Sequence, residues 1–170
     1  MGSGKSSVGR RIASRAGHRF VDTDALVTAR AGQSITQIFA QHGEAYFRDL
    51  ETATLAELDA TSGIVLATGG GIVLRAENRA ALRRIGVVAW LDADPDALFE
   101  RVSRNRKRPL LQTGNPRASF DTLLASRREI YASTADFSVD STHLSHDDAA
   151  RAVVEAAENC ARTRPDGFGS

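Results

Sequence analysis

The chain of 170 residues is poor in several residue types. Its one cysteine, Cys160, excludes an internal disulfide and a zinc–cysteine cluster. Aromatic residues make up 6% of the sequence. The basic run Arg101, Arg104, Arg106, Lys107 and Arg108 has none interleaved, which argues against a stacking platform for single-stranded nucleic acid. Lysine occurs only at Lys5 and Lys107, so the positive charge is almost all arginine. With a net charge of +1, no global field recruits nucleic acid or membrane. No run reaches the roughly 18 apolar residues of a membrane-spanning helix. The opening MGSGKSSVGRR lacks the apolar core of a secretory signal. His143 and His146 have no cysteine or acidic partner at a familiar ligand spacing and read as solvated. These absences lead to the expectation of a cytoplasmic protein without a nucleic-acid or membrane partner.

What is present is ordinary for a globular domain: 42% hydrophobic and 25% charged residues, in a length that suits one domain. Helix and strand signals alternate. Val8, Ile12, Ala13 and Ala16 recur at helical spacing over residues 5–16 and stop at Gly17. His18 to Val21 reads as a short strand ending at Asp22. Ser34 caps a helix with Ile35, Ile38 and Phe39 on one face; Gly43 interrupts it, and a longer helix runs from about Glu44 to Asp59. Strands follow at 63–67, 87–91 and 137–140, with helices over 75–84, after Asp94-Pro95, over 120–131 and after Ser145. The polar stretch 104–117 reads as a mobile loop and 163–170 as a disordered tail. This pattern predicts an α/β fold with a parallel sheet covered on both faces, and ligands at the carboxyl ends of its strands.

Chemistry-bearing residues gather at those ends. Gly4-Lys5-Ser6 matches the second half of a phosphate-binding loop, G-x-x-x-x-G-K-[ST], opening a helix whose N–H groups would cradle phosphate. The first glycine of that pattern is absent, and a glycine–serine linker is the competing reading. Asp22 and Asp24 leave a strand together, either as a helix cap or to hold magnesium and a substrate hydroxyl. Arg48 and Glu51 are i,i+3 neighbours, forming either a surface pair or an arginine held for a substrate carboxylate. Gly69-Gly70-Gly71 follows a buried strand, where glycine is costly unless something approaches the backbone closely. The basic run before Pro109-Leu110-Leu111 is either a solvated face or a lid that closes over a nucleotide.

Taken in order, GSGKSS, DTD, FRDLE, GGG, RPLL and an arginine four residues before Tyr131 resemble the shikimate kinase family over about residues 1–155. The resemblance implies a P-loop kinase-like three-layer α/β/α fold with a central five-stranded parallel sheet. It implies one domain over 1–162, with a mobile lid near 104–117. The implied reaction transfers the γ-phosphoryl group of ATP to the 3-hydroxyl of shikimate, with Mg2+ and with shikimate and ATP as the partners of a monomer. By the same resemblance Gly2, Ser3, Gly4, Lys5 and Ser6 bind the ATP phosphates, and Ser7 lies beside the nucleotide. Ser6 also ligates magnesium, and Asp22 holds it through water. Asp24 contacts the acceptor hydroxyls and serves as base. Arg48, Gly69, Gly70, Gly71 and Arg127 bind shikimate, with Glu51 orienting Arg48. Arg101 packs on the adenine, and Arg108 reaches the transferring phosphate; Lys5, Asp24 and Arg108 form the catalytic set.

The sequence departs from the family pattern at its front. The strand that precedes the phosphate loop is missing, with the loop's first glycine, so Met1 is expected to be internal in the functional protein. A ligand-sensing kinase-like domain without turnover, and another small-molecule kinase such as a gluconate kinase, are the competing expectations.

Overall fold

A computed structural model of the chain describes residues 2–58, 63–104 and 114–163. Seven helices and four strands occur among them: α1 (Lys5–Ala16), β1 (Arg19–Asp22), α2 (Thr23–Ala31), α3 (Ile35–Glu57), β2 (Ile64–Ala67), α4 (Ala76–Ile85), β3 (Ala89–Asp92), α5 (Pro95–Ser103), α6 (Pro116–Thr134), β4 (Phe137–Asp140) and α7 (His146–Thr163). A 3-10 turn at Ile72–Leu74 precedes α4. The strands pair in parallel, as the alternation of elements requires. β1 pairs with β2 in the register Val21 to Leu66, and β3 with β4 in the register Leu91 to Val139.

The chain forms two compact units, one of residues 1–8 with 87–170 and the other of residues 9–86. In the unit 9–86, Val27, Ile38 and Phe47 form a buried cluster with Leu50 packed against it. Helix α2 is capped by Asp22, whose Oδ1 accepts the Asp24 N–H at 3.0 Å, and it ends at Gly32 with φ 63°. Ser34 opens α3 with a reciprocal capping box to Gln37. In the other unit, Ala93, Leu98, Val102 and Phe120 make the core, with Phe99 and Leu124 at its edge. Asp94 caps α5, and proline occupies its first turn.

Some boundaries differ from the sequence reading. Gly43 interrupts α3 as expected, with φ 79° and ψ 178° between its two helical segments, and the second segment ends at Glu57, two residues short of the expected Asp59. Phe39 is not on the buried face; it is 39% exposed and rests against the Phe47 ring. Helix α6 starts at Pro116, inside the stretch read as loop, because the Asn115 side chain accepts the Ala118 N–H at 3.1 Å. Thr163 is the last residue of α7 rather than the start of a tail. The expected lid residues 105–113 and the tail residues 164–170 lie outside the described residues.

Candidate active site

The unit 9–86 assembles a polar cradle around the glycines that follow β2. Helix α3 presents Arg48 and Glu51 one turn apart, on the face turned to Gly69–Gly71. Glu51 is 1% exposed, and its Oε2 accepts Arg48 Nη1–H at 2.5 Å. Glu44 Oε1 accepts from Nη2 at 2.8 Å and from Nε at 3.2 Å. Burial of Arg48 opposes its charge, but the hydrogen bonds from Glu51 and Glu44 outweigh it and hold the guanidinium above its ordinary pKa. A Cβ at Gly71 would stand 2.4 Å from both Nη1 and Nη2, so the guanidinium lies directly against glycine backbone. A Cβ at Gly69 would stand 2.9 Å from Asp24 Oδ1 and 3.2 Å from Glu51 Oε1. At Gly69 and Gly71 three charged side chains close on the backbone.

Thr23 and Asn78 hold this backbone in place, and sequence reasoning passed over both. Thr23 is wholly buried, and its Oγ1 accepts the Gly69 N–H at 3.2 Å, tying the end of β2 to the start of α2. Asn78, 1% exposed, donates from Nδ2 to Ile72 O at 2.9 Å and pins the 3-10 turn after Gly71. Arg79 adds a bond from Nη1 to Val73 O at 2.8 Å. A threonine between two aspartates carries no signal of a partner 46 residues away. Glu44 was passed over as well, although its place at i−4 to Arg48 is a signal that could have found it.

In the other unit, Gly2 and Gly4 adopt φ 75° and 77°, the left-handed region that favours glycine. A Cβ at Gly2 would meet Val102 Cγ2 at 2.8 Å, and one at Gly4 would meet His146 Nε2 at 3.0 Å. Helix α1 begins at Lys5 with no acidic residue in its first turn, which leaves its N-terminus favourable to an anion. Lys5 Nζ donates to the buried Ser3 hydroxyl at 3.5 Å, while Ser6 is exposed and Ser7 half-buried. Arg101 directs Nη2 to the carbonyls of Ser141 at 3.1 Å and Thr142 at 2.8 Å, which fixes the loop between β4 and α7.

Arg127 and Arg128 have different environments. Arg128 donates to Asp92 Oδ2 at 2.9 Å and lies over the Trp90 ring. Arg127 lines a shallow depression with Phe120, Leu123, Leu124 and Tyr131. Arg108 lies outside the described residues.

The family model described as shikimate kinase matches residues 1–158. The chain belongs to the shikimate kinase family. It is 45% identical over 157 residues to a shikimate kinase of Symbiobacterium thermophilum, covering 91% of this chain and 90% of that protein. It is 42% identical over 159 residues to one from Actinobacillus pleuropneumoniae, covering 94% and 92%. Among solved structures, a shikimate kinase from Acinetobacter baumannii in complex with shikimate superposes with a TM-score of 0.87 at 34% identity, covering 94% of this chain and 89% of that one. The family's fold is that of a P-loop kinase, and the parallel strand pairs agree with it. Family members are ATP-dependent transferases of aromatic amino-acid biosynthesis that phosphorylate shikimate, and this chain is an enzyme of that kind.

Proposed function

We propose that this chain transfers the γ-phosphoryl group of ATP to the 3-hydroxyl of shikimate, with the residue roles that follow. The observation that carries this reading is the cradle of Arg48, Glu51 and Asp24 against Gly69–Gly71. An arginine held from within by a buried glutamate suits a planar carboxylate. Arg48 takes the shikimate carboxylate, with Arg127 as its second arginine and the glycine backbone beneath. Asp24 orients the acceptor hydroxyls and accepts the proton from the attacking one.

Gly2, Ser3, Gly4, Lys5, Ser6 and Ser7 hold the ATP phosphates, and Arg101 sits at the adenine end. Lys5 and the N–H groups of α1 offset the charge that the β- and γ-phosphates carry. Ser6, and Asp22 through water, would hold Mg2+, which when bound neutralises charge between those phosphates. Arg108, by the family resemblance, adds a cation at the transferring phosphate. Little covalent work falls to the protein, so positioning and charge supply most of the rate. We further propose one kinase domain over 1–162, acting as a cytoplasmic monomer without nucleic-acid or membrane partners. Among the described residues no helix is long and apolar enough to cross a membrane.

The deciding experiment is shikimate-dependent ADP release with ATP and Mg2+, against a control without acceptor. Release that depends on shikimate, with 3-phosphorylated product by NMR, is the expected result. ADP release that ignores shikimate, or none from a folded chain, refutes the proposal.

A further inference from the structure

The guanidinium of Arg48 is held by two glutamates of different character. Glu51 holds Nη1 from the buried side. Glu44 takes the Nε–Nη2 edge that Glu51 leaves open, and its side chain is 60% exposed. The orientation of Arg48 is already fixed by Glu51 and by the Gly71 backbone against its plane. Glu44 is therefore not needed to position the fork. It is a carboxylate sitting where a ligand carboxylate would bind in two-point fashion.

We propose that Glu44 is an internal competitor at Arg48, which the carboxylate of the substrate displaces on binding. This rests on the reading of Arg48 as the carboxylate clamp. The fold offers Glu44 a second seat. Gly43 breaks the helical backbone with φ 79° and ψ 178°, so Glu44 opens the second segment of α3, where a negative charge is favourable. Swinging away from Arg48 therefore leaves Glu44 solvated at a helix start and not stranded. The exchange conserves ion pairing at Arg48: one carboxylate leaves the Nε–Nη2 edge as another arrives. A ligand that offers only a carboxylate gains little from such an exchange. One whose hydroxyls also find Asp24 gains more, so Glu44 raises the threshold against simple carboxylates.

Steady-state kinetics of Glu44→Gln and Glu44→Ala, with shikimate varied and with benzoate as a competing simple carboxylate, test the proposal. Both substitutions should lower the shikimate KM about two- to five-fold, the worth of an exposed i,i+4 ion pair. The inhibition constant of benzoate should fall by a similar factor. A raised KM would make Glu44 an orienting residue and overturn the proposal; an unchanged KM would make the pair a surface contact and overturn it too. Arg48→Ala separates the two readings, since a wild-type shikimate KM in that variant removes the clamp itself. The unmutated protein gives a second readout: the Arg48 Nε–H resonance should shift when benzoate or shikimate is added. A resonance unmoved at saturating shikimate overturns the exchange.

Discussion

Replacing Gly71 with alanine tests the cradle at its tightest point. The backbone there has φ −91° and ψ −9°, outside the left-handed region that favours glycine, so the main defect expected comes from the added methyl group. That methyl would stand 2.4 Å from Nη1 and Nη2 of Arg48 and 2.6 Å from Cζ. Ordinary contact between such atoms is about 3.5 Å, so the guanidinium must retreat by about 1 Å. Arg48 is a long side chain and can move, but its far end is tied to Glu51, which is 1% exposed. A retreat stretches a bond to a buried carboxylate, and breaking a buried pair outright costs about 3–5 kcal/mol. A 1 Å misplacement of a positioning group costs about a hundredfold in rate. A hundredfold is about 2.7 kcal/mol, less than the cost of breaking the pair outright, as suits a bond that is stretched and not lost.

The Gly71→Ala enzyme should therefore lose about a hundredfold in kcat/KM for shikimate. Its KM for ATP should stay near the wild-type value, because the disturbed groups are in the acceptor cradle. The assay is coupled ADP release with each substrate varied in turn, beside a thermal melt to show that the variant folds. The sharpest control is the double variant with Arg48→Ala. If the methyl acts only through the guanidinium, Gly71→Ala should add almost nothing once the guanidinium is gone. Full additivity, or a wild-type kcat/KM in the single variant, would refute the steric reasoning.

Thr23→Val keeps the shape of a wholly buried side chain but strands the Gly69 N–H it bonds; the melt should show a loss of about 1–3 kcal/mol and the shikimate KM should rise. Gly4→Ala, at φ 77° and 3.0 Å from His146, should raise the KM for ATP far more than that for shikimate, and the reverse pattern would count against a nucleotide role for this loop. The Asp140 carboxyl is held below its ordinary value of 3.8 by the Thr142 hydroxyl and then by the Thr142 backbone N–H. Because the folded pKa is the lower one, this contribution is fully present above about pH 4 and fades as pH falls through the depressed value. Asp140→Asn should thus narrow the gap in melting temperature between the variant and wild type in strong acid; a constant gap down to the lowest pH would contradict it.

Where a structural feature depends on near neighbours in the chain, the sequence was enough to find it. The four strands, the caps at Ser34 and Asp94 and the helix starting at Lys5 are set by periodicity and by residues within one turn. The break at Gly43 was legible, and burial of Phe47 and Leu55 holds the second segment of α3 beyond it. The misjudged start of α6 has an equally local cause that was underweighted. Asn115-Pro116 looked like loop punctuation, yet the same pair is an N-cap followed by proline in the first turn, which is how α6 begins.

The candidate site divides along the same line, but for a different reason. Arg48, Glu51, Asp24 and the three glycines announce themselves because charged residues and glycine carry chemical signals at short spacing. What arranges them does not. Thr23 reaches Gly69 across 46 residues, and Asn78 works on a carbonyl of the turn, through groups as plain as a hydroxyl and an amide. Such residues reveal themselves only by burial, since a polar side chain kept from water has to justify its position with a bond. Glu44 is the converse case. Its spacing to Arg48 was legible, but that spacing also fits an ordinary exposed pair. Only the edge it occupies, opposite the buried Glu51, separates a surface contact from a carboxylate waiting in the substrate's place.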